Sequence, residues 1–334
     1  MRVLALFALF FLCACGAKDP VEIVVSGHTM GTQFNVKLAD VDVTAADLQQ
    51  DIEDSLARVE QMMSTFLPNS EISTFNVSST TDWHTISHEF CSSVEAALVL
   101  STLTDGSFDI TVGPLVNLWG FGPGDMIHEP PADEEISSVM DSVGYKHLQV
   151  DCARPALKKD ISDLYLDMSA FGKGFAVDRV ADWLEDAGFQ DYMVEVGGEL
   201  RLGGHNAKGE KWAIGIEVPL MDQRRPHMIV RLTDTAVATS GDYRNYFEAG
   251  GERYSHTIDT RTGKPVTHTL ASVTVVDDSG YRADALATAL LVMGPEKGME
   301  LAARENLAVL FLLRSDAGID ERTTPAFEQL RSTW

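Results

Sequence analysis

The chain has 334 residues, 45% of them hydrophobic, with 50 acidic against 26 basic side chains and a formal net charge of −24. That length and apolar content suffice for one large domain or two ordinary ones with a real core. So acidic a surface repels nucleic acid and anionic lipid headgroups, and any anionic ligand must meet positive charge supplied locally by a metal, a helix terminus or a placed lysine.

Residues 1–16, "MRVLALFALFFLCACG", read as a targeting segment. Arg2 supplies the positive start and Val3–Leu12 an apolar stretch too short to span a bilayer. The run "LCAC" resembles the bacterial lipobox, which is cut before a cysteine that then carries lipid. This divides the chain into a lipoprotein signal peptide (1–14), a tether lipidated at Cys15 (15–20) and one domain (21–334) that leaves the cytoplasm. The domain therefore faces the periplasm from an anchor in the inner or the outer membrane. Of the four cysteines, Cys91 and Cys152 then remain. They form either a bridge, which an oxidising compartment permits, or two buried thiols, and their spacing matches no zinc pattern.

The segments "VEIVVSG" and "TQFNVKL" alternate as a first strand pair. The next segment, 44–66, places Leu48, Ile52, Leu56, Val59 and Met63 on one helical stripe behind a Thr44 N-cap. Further helices are expected over Glu89–Leu103, 132–144 and 173–188. "YMVEV", "WAIGIEV", "MIVRL", "YSHTID", "SVTVV" and "LAVLFLL" read as strands. A buried helix then runs through "ADALATALLVM", is ended by Gly294 and restarts at Pro295. Strands cluster instead of alternating strictly with helices, which points to an α+β fold: a single large domain whose mixed or antiparallel sheet is packed by helices.

No G-x-x-x-x-G-K-[ST] loop, H-E-x-x-H pair or G-x-S-x-G elbow is present, nor a G-x-G-x-x-G between a first strand and helix, so kinase-like, Rossmann-type and zinc-hydrolase readings lose weight. Other stretches carry more. "DMSAFGKGFAVD" sets Gly-Lys-Gly where a helix is expected to begin, so that Lys173 and free N–H groups would face one phosphate; the alternative is a surface lysine in a flexible turn. "VEVGGEL" reads as a bulge within a strand. His256 in "YSHTIDTRTGKPV" is able to accept a proton near neutral pH, with Asp259 as a candidate to orient it. Asp284 and Thr288 are i and i+4 in an apolar helix. Either they are a cap and a hydroxyl bonded back one turn, or they converge on a hard cation.

Taken in order, "TMGT", "MSTF", "GSFDITVGPLVNLWGFGP", "DMSAFGKGFAVD", "VEVGGEL", "ATSGDY", "YSHTIDTRTGKPV" and "ADALATAL" resemble the motifs of the bacterial flavin transferases, the ApbE family of FAD:protein FMN transferases. The resemblance runs from about residue 25 to 313. It implies a magnesium ion held by Asp284, Thr288 and the Ala170 carbonyl. It further implies FAD contacts from Met30, Phe66, Ser107, Phe108, Asp109, Asp167, Lys173 and Ile258, and His256 close to the reacting phosphate. Phe66 stands where the family often has Tyr, and Ser107 where Ala is common.

The implied reaction moves the FMN half of FAD to a threonine hydroxyl on another protein and releases AMP, with His256, Lys173 and Asp284 as the catalytic groups. The implied partners are extracytoplasmic domains of membrane redox complexes bearing a D-G-x-[ST]-x-T motif. Two alternatives stay beside it: a magnesium-dependent FAD pyrophosphatase giving FMN and AMP, and a flavin-binding lipoprotein without chemistry.

Overall fold

The structure, a computed structural model, describes residues 21–124, 127, 129–220, 225–243 and 245–334. The signal segment and Cys15 lie outside the described residues. Eight strands form the central sheet: β1 (Glu22–Thr29), β2 (Thr32–Ala39), β3 (Tyr192–Val196), β4 (Glu199–Gly203), β5 (Thr235–Gly241), β6 (Leu270–Asp277), β7 (Ala308–Ser315) and β8 (Gly318–Thr323). They lie side by side in sequence order and every neighbouring pair is antiparallel. The α+β expectation holds, with an antiparallel rather than a mixed sheet.

Side chains alternate across a strand, so each strand offers two faces. Phe34, Val36, Leu38, Val194, Ala238, Val273, Val275 and Phe311 face a layer of helices: α1 (Ala45–Met63), α2 (His88–Leu103), α3 (Ser169–Asp186) and α4 (Gly280–Met293). On the opposite face Leu200, Leu202, Val237, Val276, Leu310 and Leu312 meet a separate hairpin, Trp212–Glu217 with Pro226–Leu232, and the C-terminal helix through Phe327. Cover therefore differs along the sheet. "LAVLFLL" is apolar throughout because β7 is buried on both sides. "TQFNVKL" alternates because Gln33, Asn35 and Lys37 look out beyond the edge of the hairpin.

The expected stripe on α1 is buried, and Thr44 caps it with Asp47, whose carboxylate accepts from the Thr44 N–H at 2.8 Å and the hydroxyl at 2.7 Å. The helix stops at Met63, three residues earlier than "STF" suggested, because Ser64 turns to extended backbone. The third expected helix is also shorter, Asp133–Met140.

"VEVGGEL" is a two-residue hairpin turn instead of a bulge. Gly197 and Gly198 have φ of 62° and 108°, which suits a turn with positive φ at both central positions. Met30 and Gly31 turn the β1–β2 hairpin likewise, at φ 50° and 70°. A methionine rarely adopts this conformation; here its N–H donates to the Glu60 carboxylate of α1. Phe34 pairs with Val196, so both turns lie at the same end of the sheet.

Cys91 of α2 and Cys152 are joined by a disulfide across 61 residues of sequence, which decides the open choice between a bridge and thiols. Closing a loop of that length in the unfolded chain is worth roughly 2–4 kcal/mol. The double variant Cys91→Ala/Cys152→Ala is expected to lose that much in a denaturant titration; an unchanged midpoint would contradict it.

Candidate active site

At the end of the sheet that carries the two turns lies a cavity of about 780 Å³, lined among others by Asp167, Ala170, Lys173, Glu199, His256 and Asp284. Two helices meet at its floor with unusual closeness. A Cβ on Gly174 of α3 would stand 2.2 Å from the Gly280 carbonyl oxygen, and one on Gly280 would stand 2.4 Å from that of Gly174. Only glycine lets the two backbones touch in this way. Asp178, one turn further along α3, fixes the register. Its carboxylate accepts from the N–H groups of Gly280 at 2.8 Å and Tyr281 at 3.1 Å, and from the Ser279 hydroxyl at 3.2 Å. An acid on the free N–H groups of a helix start is favourable, and here it comes from the neighbouring helix.

That crossing sets Asp284 against α3. Asp284 lies in the second turn of α4, which begins at Gly280, so it is no N-cap. Its Oδ2 accepts the Gly174 N–H at 3.0 Å. In an unbroken helix that N–H would go to the Ala170 carbonyl four residues back. Ala170 is itself out of helical geometry, at φ −89° and ψ 17°. A kink and a diverted donor are what make a helical carbonyl available as a ligand. Thr288 does not bond back one turn either: its hydroxyl lies 2.8 Å from Ser240 Oγ of β5. Either hydroxyl can donate in this pair; with Thr288 as the donor, its oxygen keeps lone pairs for a cation.

Lys173 and Glu199 complete the polar floor. Lys173 Nζ is 3.0 Å from Glu199 Oε1 and 3.9 Å from Asp284 Oδ1. Burial alone would lower the ammonium's pKa, but Asp284 and Glu199 outweigh it and hold it above the ordinary lysine value. Burial pushes the Glu199 carboxyl up against the opposing pull of Lys173. Its Oε2 is buried with no hydrogen-bond partner. Two carboxylates thus face one ammonium, and a diphosphate entering here would be repelled unless a cation joined them. An all-oxygen set of carboxylate, hydroxyl and carbonyl fits a hard ion such as Mg²⁺, which also keeps waters and phosphate oxygens as ligands. No cluster of three His, Cys, Asp or Glu side chains occurs among the described residues, so a soft-metal centre finds no support there.

His256 falls where the expected strand "YSHTID" is interrupted, between Glu252–Ser255 and Ile258–Asp259. Its main-chain N–H and its Nδ1 each lie 3.0 Å from the Asn245 carbonyl. Nδ1 must carry the proton to donate to that oxygen, which leaves Nε2 as the basic nitrogen. Burial lowers the pKa of the ring; the Asn245 carbonyl opposes this and Lys173 reinforces it. Asp259 does not orient the histidine. It is held by Arg261, at 2.9 and 2.8 Å.

Comparison with known proteins gives the family. The model of the ApbE family matches residues 30–311. The chain is 43% identical to the FAD:protein FMN transferase of Vibrio cholerae serotype O1 over 99% of its own length and 98% of that protein. Among solved structures it is similar to the flavin transferase ApbE from Vibrio cholerae, with a TM-score of 0.86 and 42% identity over 93% of this chain and 99% of that one. It is also similar to the Pseudomonas stutzeri flavinyl transferase ApbE in its apo form, with a TM-score of 0.85 and 39% identity over 93% and 97% of the two chains. The chain belongs to the ApbE family.

Within this family fold, ten of the positions that the sequence singled out line one cavity: Ser107, Phe108, Asp109, Asp167, Ala170, Lys173, His256, Ile258, Asp284 and Thr288. Met30 and Phe66 are not in its lining; Phe66 is 69% exposed on the loop after α1. Asp109 uses both oxygens within the protein. Oδ1 accepts from Thr111 N–H at 2.8 Å and Oγ1 at 2.7 Å, and Oδ2 from Tyr145 N–H at 2.9 Å. It therefore holds the loop that presents Ser107 and Phe108. Gly-Lys-Gly does not open a helix, since α3 starts at Ser169 and Lys173 sits in its second turn. What this segment offers the cavity is therefore the Lys173 ammonium and not a row of free N–H groups. Glu199, Ser240, Asn245 and Asp178 were missed as single residues, although the motifs "VEVGGEL", "ATSGDY" and "DMSAFGKGFAVD" contain three of them.

Gly280→Ala tests the helix crossing. The added methyl must push α4 off α3, so a stability loss of about 1–3 kcal/mol is expected. Because Asp284 moves with α4, turnover should fall more than tenfold at a temperature where the variant is still folded. A variant with full turnover would show that the close approach is dispensable.

Proposed function

We propose that the chain is a Mg²⁺-dependent FAD:protein FMN transferase, joining the FMN half of FAD to a threonine hydroxyl of a second protein and releasing AMP. The observation that carries this reading is that Asp284, Thr288 and the kinked Ala170 line one cavity with Lys173, whose Nζ is 3.9 Å from Asp284 Oδ1, and with His256. The names of its relatives support the same chemistry.

Mg²⁺ bound by Asp284, Thr288 and the Ala170 carbonyl would neutralise the diphosphate and stabilise charge developing on it. The other steps fall to the chain's own groups. Lys173, kept protonated by its two acids, would hold a phosphate oxygen and needs no proton transfer to do so. Ser107, Phe108 and Ile258 would seat the dinucleotide, and Asp167, whose Oδ1 accepts the Ser169 N–H at 2.8 Å, has a second oxygen for it. His256 Nε2 would take the hydroxyl proton of the incoming threonine while its oxygen bonds to the riboflavin-side phosphorus. The bond from that phosphorus to the AMP oxygen breaks in line. In such transfers positioning and charge stabilisation supply most of the rate.

The acceptors we propose are extracytoplasmic domains of membrane redox complexes, reached from a lipid anchor at Cys15. Among the described residues no helix is long and apolar enough to cross a membrane. The test is incubation of the truncated soluble domain with FAD and Mg²⁺, with and without an acceptor domain. Fluorescent acceptor bands and stoichiometric AMP are expected. AMP without acceptor labelling would instead make it a pyrophosphatase, and neither product would leave a binding protein.

A further inference from the structure

The cavity does not end at the catalytic floor. It continues along the outer face of the sheet, over Gln33 and Asn35 of β2 and Met193 and Glu195 of β3, and along the strand Trp212–Glu217. This arm is the part of the sheet that the hairpin leaves uncovered. None of the positions expected to touch FAD lies in it. Its wall is a strand edge: Trp212–Glu217 pairs on one side with Pro226–Leu232, and among the described residues no strand pairs with its other side. Ile214 and Ile216 point into the core, while Ala213 and Gly215 are exposed and small. A second cavity of about 270 Å³, bordered by Ala213, Gly215, Pro226 and Ile229, lies against the same strand.

We infer that this arm takes an extended segment of the acceptor protein as a third strand along the unpaired edge of residues 212–216. The inference rests on the transferase reading and names how the partner reaches the site. A folded acceptor cannot enter the cavity, whereas a single extended strand can, and main-chain hydrogen bonds to an open edge hold it whatever most of its side chains are. Side chains of an added strand alternate between two faces. One set meets the floor, where Asn35 Nδ2 donates to Glu195 Oε2 at 3.1 Å. The other set lies beside Ala213 and Gly215, next to the second cavity. The arm is continuous with the space around Glu199, Lys173 and His256, so a threonine near one end of the segment is delivered to the reacting phosphorus.

The experiment uses an acceptor domain carrying D-G-x-[ST]-x-T, in its native form and with the final threonine replaced by alanine so that it binds without reacting. Hydrogen exchange of the full domain with FAD and Mg²⁺ should show amides of 212–217 slowed at least tenfold by the unreactive acceptor. In parallel, Gly215→Trp sets a large side chain at the strand edge on the side of the second cavity, where the added strand's outer side chains would lie; a Cβ there makes only an ordinary 3.5 Å contact with Pro226 Cβ. The variant should raise KM for the acceptor at least tenfold and leave FAD affinity within twofold. Flavin transfer to the native acceptor with 212–217 unprotected, or with the acceptor KM of Gly215→Trp unchanged, would overturn this inference alone. No flavin on the native acceptor from the wild-type chain would overturn the transferase reading and this inference with it.

Discussion

Asp284→Asn is expected to lower Mg²⁺-dependent FMN transfer by about 10²–10⁴-fold, because removing a metal's anionic ligand forfeits several kcal/mol of charge stabilisation. Asparagine is the informative replacement. Its side-chain oxygen can still accept the Gly174 N–H that Asp284 Oδ2 now accepts at 3.0 Å, so the crossing of α3 and α4 survives and only the charge is lost. Asp284 is 2% exposed, and alanine there would leave the Gly174 donor buried and unpaired, mixing a folding defect with a catalytic one. Removal of Mg²⁺ by a chelator should silence the wild-type enzyme to the same floor, and Asp284→Asn should need far more Mg²⁺ for half-maximal rate. Equal rates and equal Mg²⁺ requirement in wild type and variant would remove the metal from this site.

Much of the fold was legible because it follows from local periodicity. The α1 stripe, the alternating β2 and the continuous apolar run of β7 each report how many of their faces are covered. Other elements gave no such signal. β8, "GIDERT", is an exposed edge strand whose side chains need no apolar face. β5, "TAVATSG", loses its pattern at Thr239 and Ser240, where side chains line the cavity instead of packing. The interruption at His256 and the kink at Ala170 are likewise invisible to periodicity, since each involves a distant partner: the Asn245 carbonyl in one case, the Asp284 carboxylate that takes the Gly174 N–H in the other.

The site divides in the same way. Asp284 and Thr288 could be placed on one helix face from spacing alone, but that Asp284 is no cap and Thr288 does not bond back one turn depends on what α3 and β5 bring to them. Family motifs supplied the residues; only the folded chain gives the ion pair of Lys173 with Glu199, the kink at Ala170 and the capping of α4 by Asp178. These are contacts between segments roughly 25 to 110 residues apart, and no local rule encodes them.

His256→Ala should reduce acceptor labelling by about 10²–10⁴-fold, the usual contribution of a positioned general base, while FAD binding persists. The pH dependence follows from the environment of the ring. Burial lowers its pKa, Lys173 adds to this, and the Asn245 carbonyl fixes the proton on Nδ1. A base must be neutral to act, so a lowered pKa keeps Nε2 competent at neutral pH and moves the acid limb of the kcat/KM profile below the ordinary imidazole value of about 6.5. The rate should therefore be flat near pH 7 and fall only as pH drops through that lower value. In His256→Ala the limb should vanish along with the rate. A variant that labels the acceptor at the wild-type rate, or a wild-type limb centred above neutrality, would assign proton removal to another group. In the first case the buried, unpaired Oε2 of Glu199 on the same floor would be the next candidate to test.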